Sequence, residues 1–490
     1  MSDNNTQIKK AGMKAGFWNF STTIINQVRN FIVSLVLARL LTPEDFGLVG
    51  MATVFVGVVE AFVDFGFGAS LVQAKEVSRR QLSTVFYINL LMGIVLAVIM
   101  FFSSNLIADF FNDKRLSIIV KVLSPTFIVK ALQVMPDVLF KKALNYKTPF
   151  RISVVTGILS GIIGIVLAII GYGVWALIYS QISGWIISLV LQYWITKWWP
   201  LMCFKINEIK ELWSFGYKFS LSVMIDQIFT RLNTILIGKF FNASLLGLYY
   251  RACSLNGLVI QYSFSSFASV LFPTFCKYQD DIPMLRHNVL RIVQVVSFLT
   301  FLFSGLMIVC AFDIIVLLYG DKWIGAVEFF KILGLFSITL TIPSILVNAL
   351  MAIGRTDLNL KIELIKKGLL VLSIPIGIHY GVYGYIWAVS IGALIGMPFN
   401  MWALKYINLS IWEQLKSIAV YFIPFVILVI ADNVLIDETL FNNCLLSLIV
   451  KGLVYVSIYI AYNKLMHTQG LSSAISIAKP MVDKLYKLVK

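Results

Sequence analysis

FWNFSTTIINQVRNFIVSLVLA, Phe17 to Ala38, is the stretch that decides the fold. It is long enough to cross a bilayer and mostly apolar, yet Asn19, Thr22, Thr23, Asn26, Gln27, Arg29, Asn30 and Ser34 interrupt it. At about 100° per residue these side chains fall within roughly 80° of either side of one line down a helix. The stretch therefore predicts a transmembrane helix with one face for lipid and one wet face. Hydrocarbon cannot satisfy buried amides or a guanidinium, so the wet face must look into protein or a water-filled path. An intramembrane Arg marks function by default.

The design recurs at an offset of 200 residues. Ile25-Asn26-Gln27-Val28 returns as Ile225-Asp226-Gln227-Ile228, Arg39 as Lys239, Thr42 as Asn242, and Gly47-Leu48 as Gly247-Leu248. With no gap, Ala52, Gly57, Val59, Phe67 and Leu71 meet Ala252, Gly257, Val259, Phe267 and Leu271. A constant offset that carries polar, Gly and turn positions predicts two parallel halves, each opening on a polar helix. Transporters with a central site are built this way.

Composition places the whole chain in the membrane. Of its 490 residues, 59% are hydrophobic and 13% charged, against roughly 45–50% apolar in soluble domains. The polar start carries Lys9, Lys10 and Lys14 but no short apolar core with a cleavage site, so a removable signal peptide is not expected. The net charge of +16 sits between spans and reads as topology signals, not as a nucleic-acid surface. Cys203, Cys253, Cys276, Cys310 and Cys444 show no paired spacing, and the three His are scattered. Neither a disulfide framework nor a metal site is expected, and no cofactor.

Fourteen spans are predicted, over 17–39, 46–73, 81–103, 115–137, 150–171, 173–196, 212–240, 245–273, 288–312, 324–350, 358–378, 382–404, 414–433 and 440–463. The tenth, with Glu328, Lys331 and Pro343, and the last, with Lys451, are the least regular. With the N-terminus inside, the outer loops hold only Arg39, Lys114, Arg115, Lys239 and Lys322 of the 40 Lys and Arg. That asymmetry predicts both termini in the cytoplasm. The repeat divides the all-α chain into an N-lobe of six helices (1–205), a C-lobe of six (206–407), two added helices (408–464) and a basic amphipathic tail (465–490) on the inner surface.

The polar inventory of the spans is larger than a bundle standing in lipid requires. Glu60 and Asp64 lie one turn apart on the second helix, and Thr126, Lys130, Gln133 and Asp137 form a stripe on the fourth. The seventh carries Asp226, Gln227, Thr230, Arg231, Asn233 and Thr234, and the eighth Arg251. Arg29 lies about 20 Å and Glu60 about 27 Å from the first hairpin at 1.5 Å per residue, so a mutually neutralising pair is one reading. Lys121 and Lys218 are expected to snorkel, and the Asn and Gln residues also serve as helix glue. Under the repeat, Glu60 and Asp64 correspond to Ile260 and Phe264, so ion or proton coupling (H⁺ or Na⁺) belongs to the first half. Both halves offer cations, Arg29 and Lys130 in one, Arg231 and Arg251 in the other. With Asn26, Gln27, Asp226 and Gln227 they form a candidate substrate surface, suited to a pyrophosphate that Arg grips bidentately.

Several segments are familiar. Arg39-Leu-Leu-Thr-Pro-Glu-Asp-Phe-Gly-Leu-Val-Gly50 resembles the first-hairpin signature of bacterial polysaccharide flippases. Asp64-Phe-Gly-Phe-Gly-Ala-Ser-Leu-Val-Gln73, Gly171-Tyr-Gly-Val-Trp-Ala-Leu177 and Ala352-Ile-Gly-Arg-Thr-Asp357 resemble further family segments. The resemblance covers nearly the whole chain. It is nearest to the colanic-acid and teichuronic-acid exporter branch of the superfamily that also holds O-antigen flippases, the lipid II flippase and multidrug and toxin extrusion pumps. It implies fourteen helices in two facing six-helix lobes. It implies transfer of an undecaprenyl-pyrophosphate-linked oligosaccharide from the inner to the outer leaflet of the bacterial cytoplasmic membrane, by alternating access around a cationic cavity. Membrane lipids and polysaccharide-assembly proteins would be its partners. Arg29 matches a basic position of relatives in general location only. The hairpin signature itself reads as structural, with Thr42 capping a helix that starts at Pro43.

Two other functions stand beside this one. An ion-coupled drug or metabolite exporter on the same fold would favour exposed acids, and Glu60, Asp64 and Asp226 keep it open. A membrane glycan polymerase or ligase would carry a sizeable outer loop with convergent catalytic groups, and no such loop is present in the sequence.

Overall fold

The computed structural model describes residues 18, 22–23, 25–60, 62–64, 66–74, 77–205, 227–435 and 443–476. These are helices joined by short turns, with no strand among the described residues. They pack as two compact units, Met1–Gly247 and Leu248–Lys490.

The first unit opens with α1 (25–40), then α2 (Pro43–Glu60), a short α3 (Phe67–Gln73) and the long α4 (Arg79–Phe111). Next come α5 (Arg115–Leu123), α6 (Thr126–Lys142), α7 (Lys147–Ile169), α8 (Val174–Thr196) and α9 (227–240). The junctions are written in side chains. Ser78 and Gln81 form a reciprocal capping box at the start of α4. Thr42 accepts from the Asp45 N–H at 3.3 Å while its own N–H donates to Asp45 at 2.9 Å, as the hairpin signature predicts. In the second copy of that signature, Asn242 Oδ1 accepts from the Leu245 N–H at 2.8 Å and opens α10 (Ala243–Lys277). Arg115 ties the α4–α5 turn to α2, reaching Asp113 at 2.7 Å and Glu44 at 2.6 Å.

Helix faces sort by lipid rather than by water. Along α4, Val85, Asn89, Gly93, Ala97, Met100, Ser104 and Ile107 are buried, while Leu91, Val98, Phe102 and Leu106 are exposed. Both faces are apolar, so the exposed one is fitted to hydrocarbon. Where α3, α4 and α6 meet, Phe67, Leu71, Val85, Phe86, Met135 and Val138 close a core together with Trp198. Lys142 caps the end of α3, donating to the carbonyls of Leu71 at 3.1 Å and Ala74 at 2.7 Å.

The second unit continues with α11 (Ile282–Val309), α12 (Ala311–Tyr319), α13 (Ala326–Leu335), α14 (Ile338–Ala352), α15 (Thr356–His379), α16 (Gly381–Ala403), α17 (Ile411–Leu435) and α18 (Cys444–Leu465). Helix α11 is its axis, packed against α13, α14, α17 and α18. Phe298, Phe301, Tyr421, Phe425, Tyr455 and Tyr459 fill the contact. Tyr455 and Tyr459 donate to the carbonyls of Phe301 (2.8 Å) and Phe298 (3.2 Å), so α18 is stitched to α11 by buried hydroxyls.

Nine helical segments among the described residues are long and apolar enough to cross a membrane. They cover the third to sixth, ninth, tenth and twelfth to fourteenth expected spans. Helices also form over the second (α2, α3), eighth (α10) and eleventh (α15). The fourth and tenth spans are interrupted. Pro125, which lacks an N–H, separates α5 from α6, and a turn at Phe336-Ser337 separates α13 from α14.

Candidate functional site

In the first unit the predicted cations are held in two different ways. The Arg29 guanidinium crosses from α1 to α7, donating to the Ser153 carbonyl through Nη1 and to Asn30 Oδ1 at 2.8 Å through Nη2. A Cβ on Gly157 would collide with that guanidinium, so the glycine makes its seat. Arg231 on α9 repeats the arrangement. Its Nη1 donates to the Thr53 carbonyl of α2 at 3.2 Å and its Nε to Gln227 Oε1 at 3.2 Å. Here Gly57 makes the seat, since a Cβ there would meet the guanidinium. Lys130 on α6 lies 3.0 Å from Glu60 Oε1 and 4.8 Å above the Trp185 ring on α8.

The difference is electrostatic. Both guanidiniums rest on uncharged oxygens, whereas Lys130 is paired with a carboxylate. A guanidinium on neutral acceptors keeps a full charge and unspent donors for an anion. Glu60 pairs with Lys130 of α6, 3.0 Å away, and not with Arg29, whose guanidinium is turned to α7. Nearby, Asn26 Oδ1 on α1 is buried without a hydrogen-bond partner. Gln27 is engaged, and Asp226 lies outside the described residues, as do Asn19 and Lys218.

The acidic groups separate as well. Asp64 is not in the helix with Glu60 but in the break between α2 and α3. Its Oδ1 accepts from the Gly68 N–H at 2.8 Å and from Asn89 Nδ2 at 3.4 Å. Asp137 on α6 accepts from Gln192 Nε2 of α8 at 3.0 Å, and Gln133 on the same stripe donates to the Trp185 carbonyl at 2.9 Å. Asp64 and Asp137 lie within Coulombic reach of each other, and both within reach of Lys141.

Arg251 belongs to the second unit. It is 3% exposed and stacked on two rings, 5.4 Å from the Tyr319 centroid and 5.6 Å from that of Trp323. This is an aromatic seat unlike those of Arg29 and Arg231. Lys121 lies 5.9 Å over Phe101. The residues sequence reasoning missed are the supports: Gly57, Gly157, Trp185, Asn89 and Gln192. Asn89 was visible as the one amide in the apolar run 82–103, and Gln192 as an amide near the end of the sixth span.

Residues 36–328 match the protein family described as Polysaccharide biosynthesis protein. The teichuronic acid biosynthesis protein TuaB of Bacillus subtilis (strain 168) is 27% identical over 83% of this chain and 86% of its own length. The lipopolysaccharide biosynthesis protein WzxC of Escherichia coli (strain K12) is 27% identical over 74% of each chain. Among solved structures, the inward closed lipid II flippase MurJ aligns with a TM-score of 0.73 over 92% of this chain and 98% of that one, at 16% identity. An inward-facing multidrug resistance MATE family transporter of the MOP superfamily aligns with a TM-score of 0.60 over 78% and 94%, at 14% identity. At those identities the structural likeness speaks for the fold.

Proposed function

The chain belongs to the polysaccharide biosynthesis protein family, and from that premise we propose that it is a membrane transporter of the MOP superfamily that flips undecaprenyl-pyrophosphate-linked oligosaccharide repeat units across the bacterial cytoplasmic membrane. The proposal includes fourteen spans in two six-helix lobes (1–205 and 206–407), an added helix pair (408–464), a basic tail (465–490) and both termini inside. Polysaccharide-assembly proteins are proposed as partners. Transfer proceeds by alternating access along a cationic path, and coupling to H⁺ or Na⁺ is assigned to the acidic groups of the first unit.

The observation that carries this reading is the pair of intramembrane guanidiniums on neutral seats. Arg29 and Arg231 hold their charge without a carboxylate, at the expense of two glycine positions that leave room for them. A pyrophosphate offers two or more charged oxygens to such planar forks, and an ammonium would reproduce the charge but not the fork. Lys130, already paired with Glu60, becomes available only if that ion pair opens. Arg251 supplies a cation in the second unit, and Asn26, Gln27, Gln227 and Asp226 supply neutral and acidic contacts to the path.

The test is surface polysaccharide in cells that depend on this chain for its export. Arg29→Ala and Arg231→Ala are expected to abolish it and to accumulate the lipid-linked precursor inside, with the protein still in the membrane by immunoblot. Arg29→Lys is expected to retain partial output. Normal output from a well-expressed Arg29→Ala/Arg231→Ala double variant overturns the cationic path.

A further inference from the structure

Three helices and a break carry Asp64, Asn89, Asp137 and Gln192 in the first unit. Helix α6 packs against α4 and α8, which carry Asn89 and Gln192, and against α3, which follows the break that holds Asp64. Each carboxylate accepts an N–H from one amide, Asp64 from Asn89 and Asp137 from Gln192. An amide that gives its nitrogen to a carboxylate must present its carbonyl oxygen elsewhere. Both of those oxygens, Asn89 Oδ1 and Gln192 Oε1, are buried with no hydrogen-bond partner. Asn89 is 0% exposed and Gln192 8%, so water does not supply the missing bonds from bulk. A buried acceptor left unpaired costs its full desolvation, and a native structure that keeps two of them beside two carboxylates is keeping them for a ligand.

The donors define the ligand. Two carboxylates and two amide carbonyls are hard oxygen ligands, without imidazole or thiolate, and such a set selects a hard cation over a transition metal. The local charge favours a monovalent one. The two carboxylates are offset by Lys141, within Coulombic reach of both, and Asp137 also feels Lys130, itself paired with Glu60. We propose that Asp64, Asn89, Asp137 and Gln192 form a binding site for Na⁺. Asp64 and Asp137 are only partly buried, which leaves a way in, while the two amides form the closed side. Asp64 sits in the break between α2 and α3, so an ion held there ties that break to α4, α6 and α8. This deepens the coupling role proposed above and rests on that reading. It moves the centre of the site from Glu60, which is bonded to Lys130, to Asp137.

The experiment uses the purified full-length protein in detergent with no lipid-linked substrate present. Equilibrium binding of ²²Na⁺ is measured at constant ionic strength with choline chloride, together with the thermal transition in NaCl and in choline chloride. Saturable ²²Na⁺ binding and a higher transition temperature in NaCl are expected, since a ligand that binds only the folded state stabilises it. Asp137→Asn and the double variant Asn89→Leu/Gln192→Leu are each expected to weaken binding at least tenfold, and Lys141→Gln to tighten it. Absence of saturable binding by folded wild-type protein overturns the site. So does binding that Asp137→Asn and Asn89→Leu/Gln192→Leu leave unchanged. If a variant does not fold, the wild-type comparison of NaCl with choline chloride still decides. Substrate is absent, so failure here leaves the flippase reading intact. Failure of the Arg29 and Arg231 test leaves the Na⁺ site intact.

Discussion

Gly57 and Gly157 seat the two guanidiniums, and a side chain at either position must displace one of them. Gly157→Leu and Gly57→Leu are expected to lower surface polysaccharide about as far as Arg29→Ala and Arg231→Ala do. Gly257, the repeat partner of Gly57, meets nothing within 4 Å among the described residues, so Gly257→Ala is the matched control and should export normally. Equal loss in all three glycine variants would show that helix packing, not the seat, is being read. A second residue-scale feature is the buried pair Lys451–Asp313 in the second unit, 3.8 Å apart and 4% and 2% exposed, with Ser447 donating to Asp313 at 2.9 Å. Removing one partner leaves an uncompensated charge in a dry site, so Lys451→Met should destabilise by about 3–5 kcal/mol. The double variant Asp313→Leu/Lys451→Met should recover most of that loss. Thermal denaturation in detergent checks both, and a double variant less stable than Lys451→Met would contradict the ion-pair account.

At the scale of elements, the hairpin is the unit the chain uses twice. Leu41 N–H bonds the Leu37 carbonyl at 2.9 Å, and Phe241 N–H the Ile237 carbonyl at 3.0 Å, so both copies end the preceding helix identically. Thr42 and Asn242 then cap the next. The first turns of α2 and α10 also cross at backbone distance. A Cβ on Gly47 would strike the Ala243 carbonyl, and one on Gly247 would strike that of Pro43. The offset of 200 residues relates Pro43 to Ala243 and Gly47 to Gly247, so the crossing is symmetric under the repeat, with small residues letting backbones touch. Thr42→Ala and Asn242→Ala are expected to cost about 1 kcal/mol each as lost caps. Gly47→Leu and Gly247→Leu should lower the transition temperature further than either cap variant, because backbone cannot give way. Melting of the four variants side by side decides the order, and glycine variants as stable as wild type would mean the crossing is dispensable.

For the whole molecule the question is how the chain threads the membrane. In sequence Lys75 comes before α4, which opens with Arg79 and Arg80; Lys141, Lys142 and Lys147 flank the α6–α7 turn, and Lys114 with Asp113 lies in the α4–α5 turn, next to Arg115 at the start of α5. Reporter fusions after Arg80 and within 141–147 are expected to read cytoplasmic, and one within 105–114 external. The opposite pattern would reverse the orientation and with it the direction in which Arg29 and Arg231 meet the substrate.

What the sequence by itself determined is set by periodicity, composition and local chemistry. An apolar composition broken into helical stretches announces a membrane protein. The Thr42 cap was legible because capping depends on residues three apart. The repeat was legible because polar and Gly positions recur at one offset. Only the tertiary structure decided the partners. Counting residues along a helix gives the depth of Glu60 but not which neighbour faces it, and Lys130 proved to be that neighbour rather than Arg29. Asp64 left the helix that periodicity assigned to it, because the chain breaks after Glu60. Asn89 and Gln192 acquired meaning only when packing set Asn89 against Asp64, in the break before α3, and Gln192 against Asp137 of α6. Helical periodicity fixes depth and azimuth on one helix, whereas contact between helices depends on which small residues let which backbones approach.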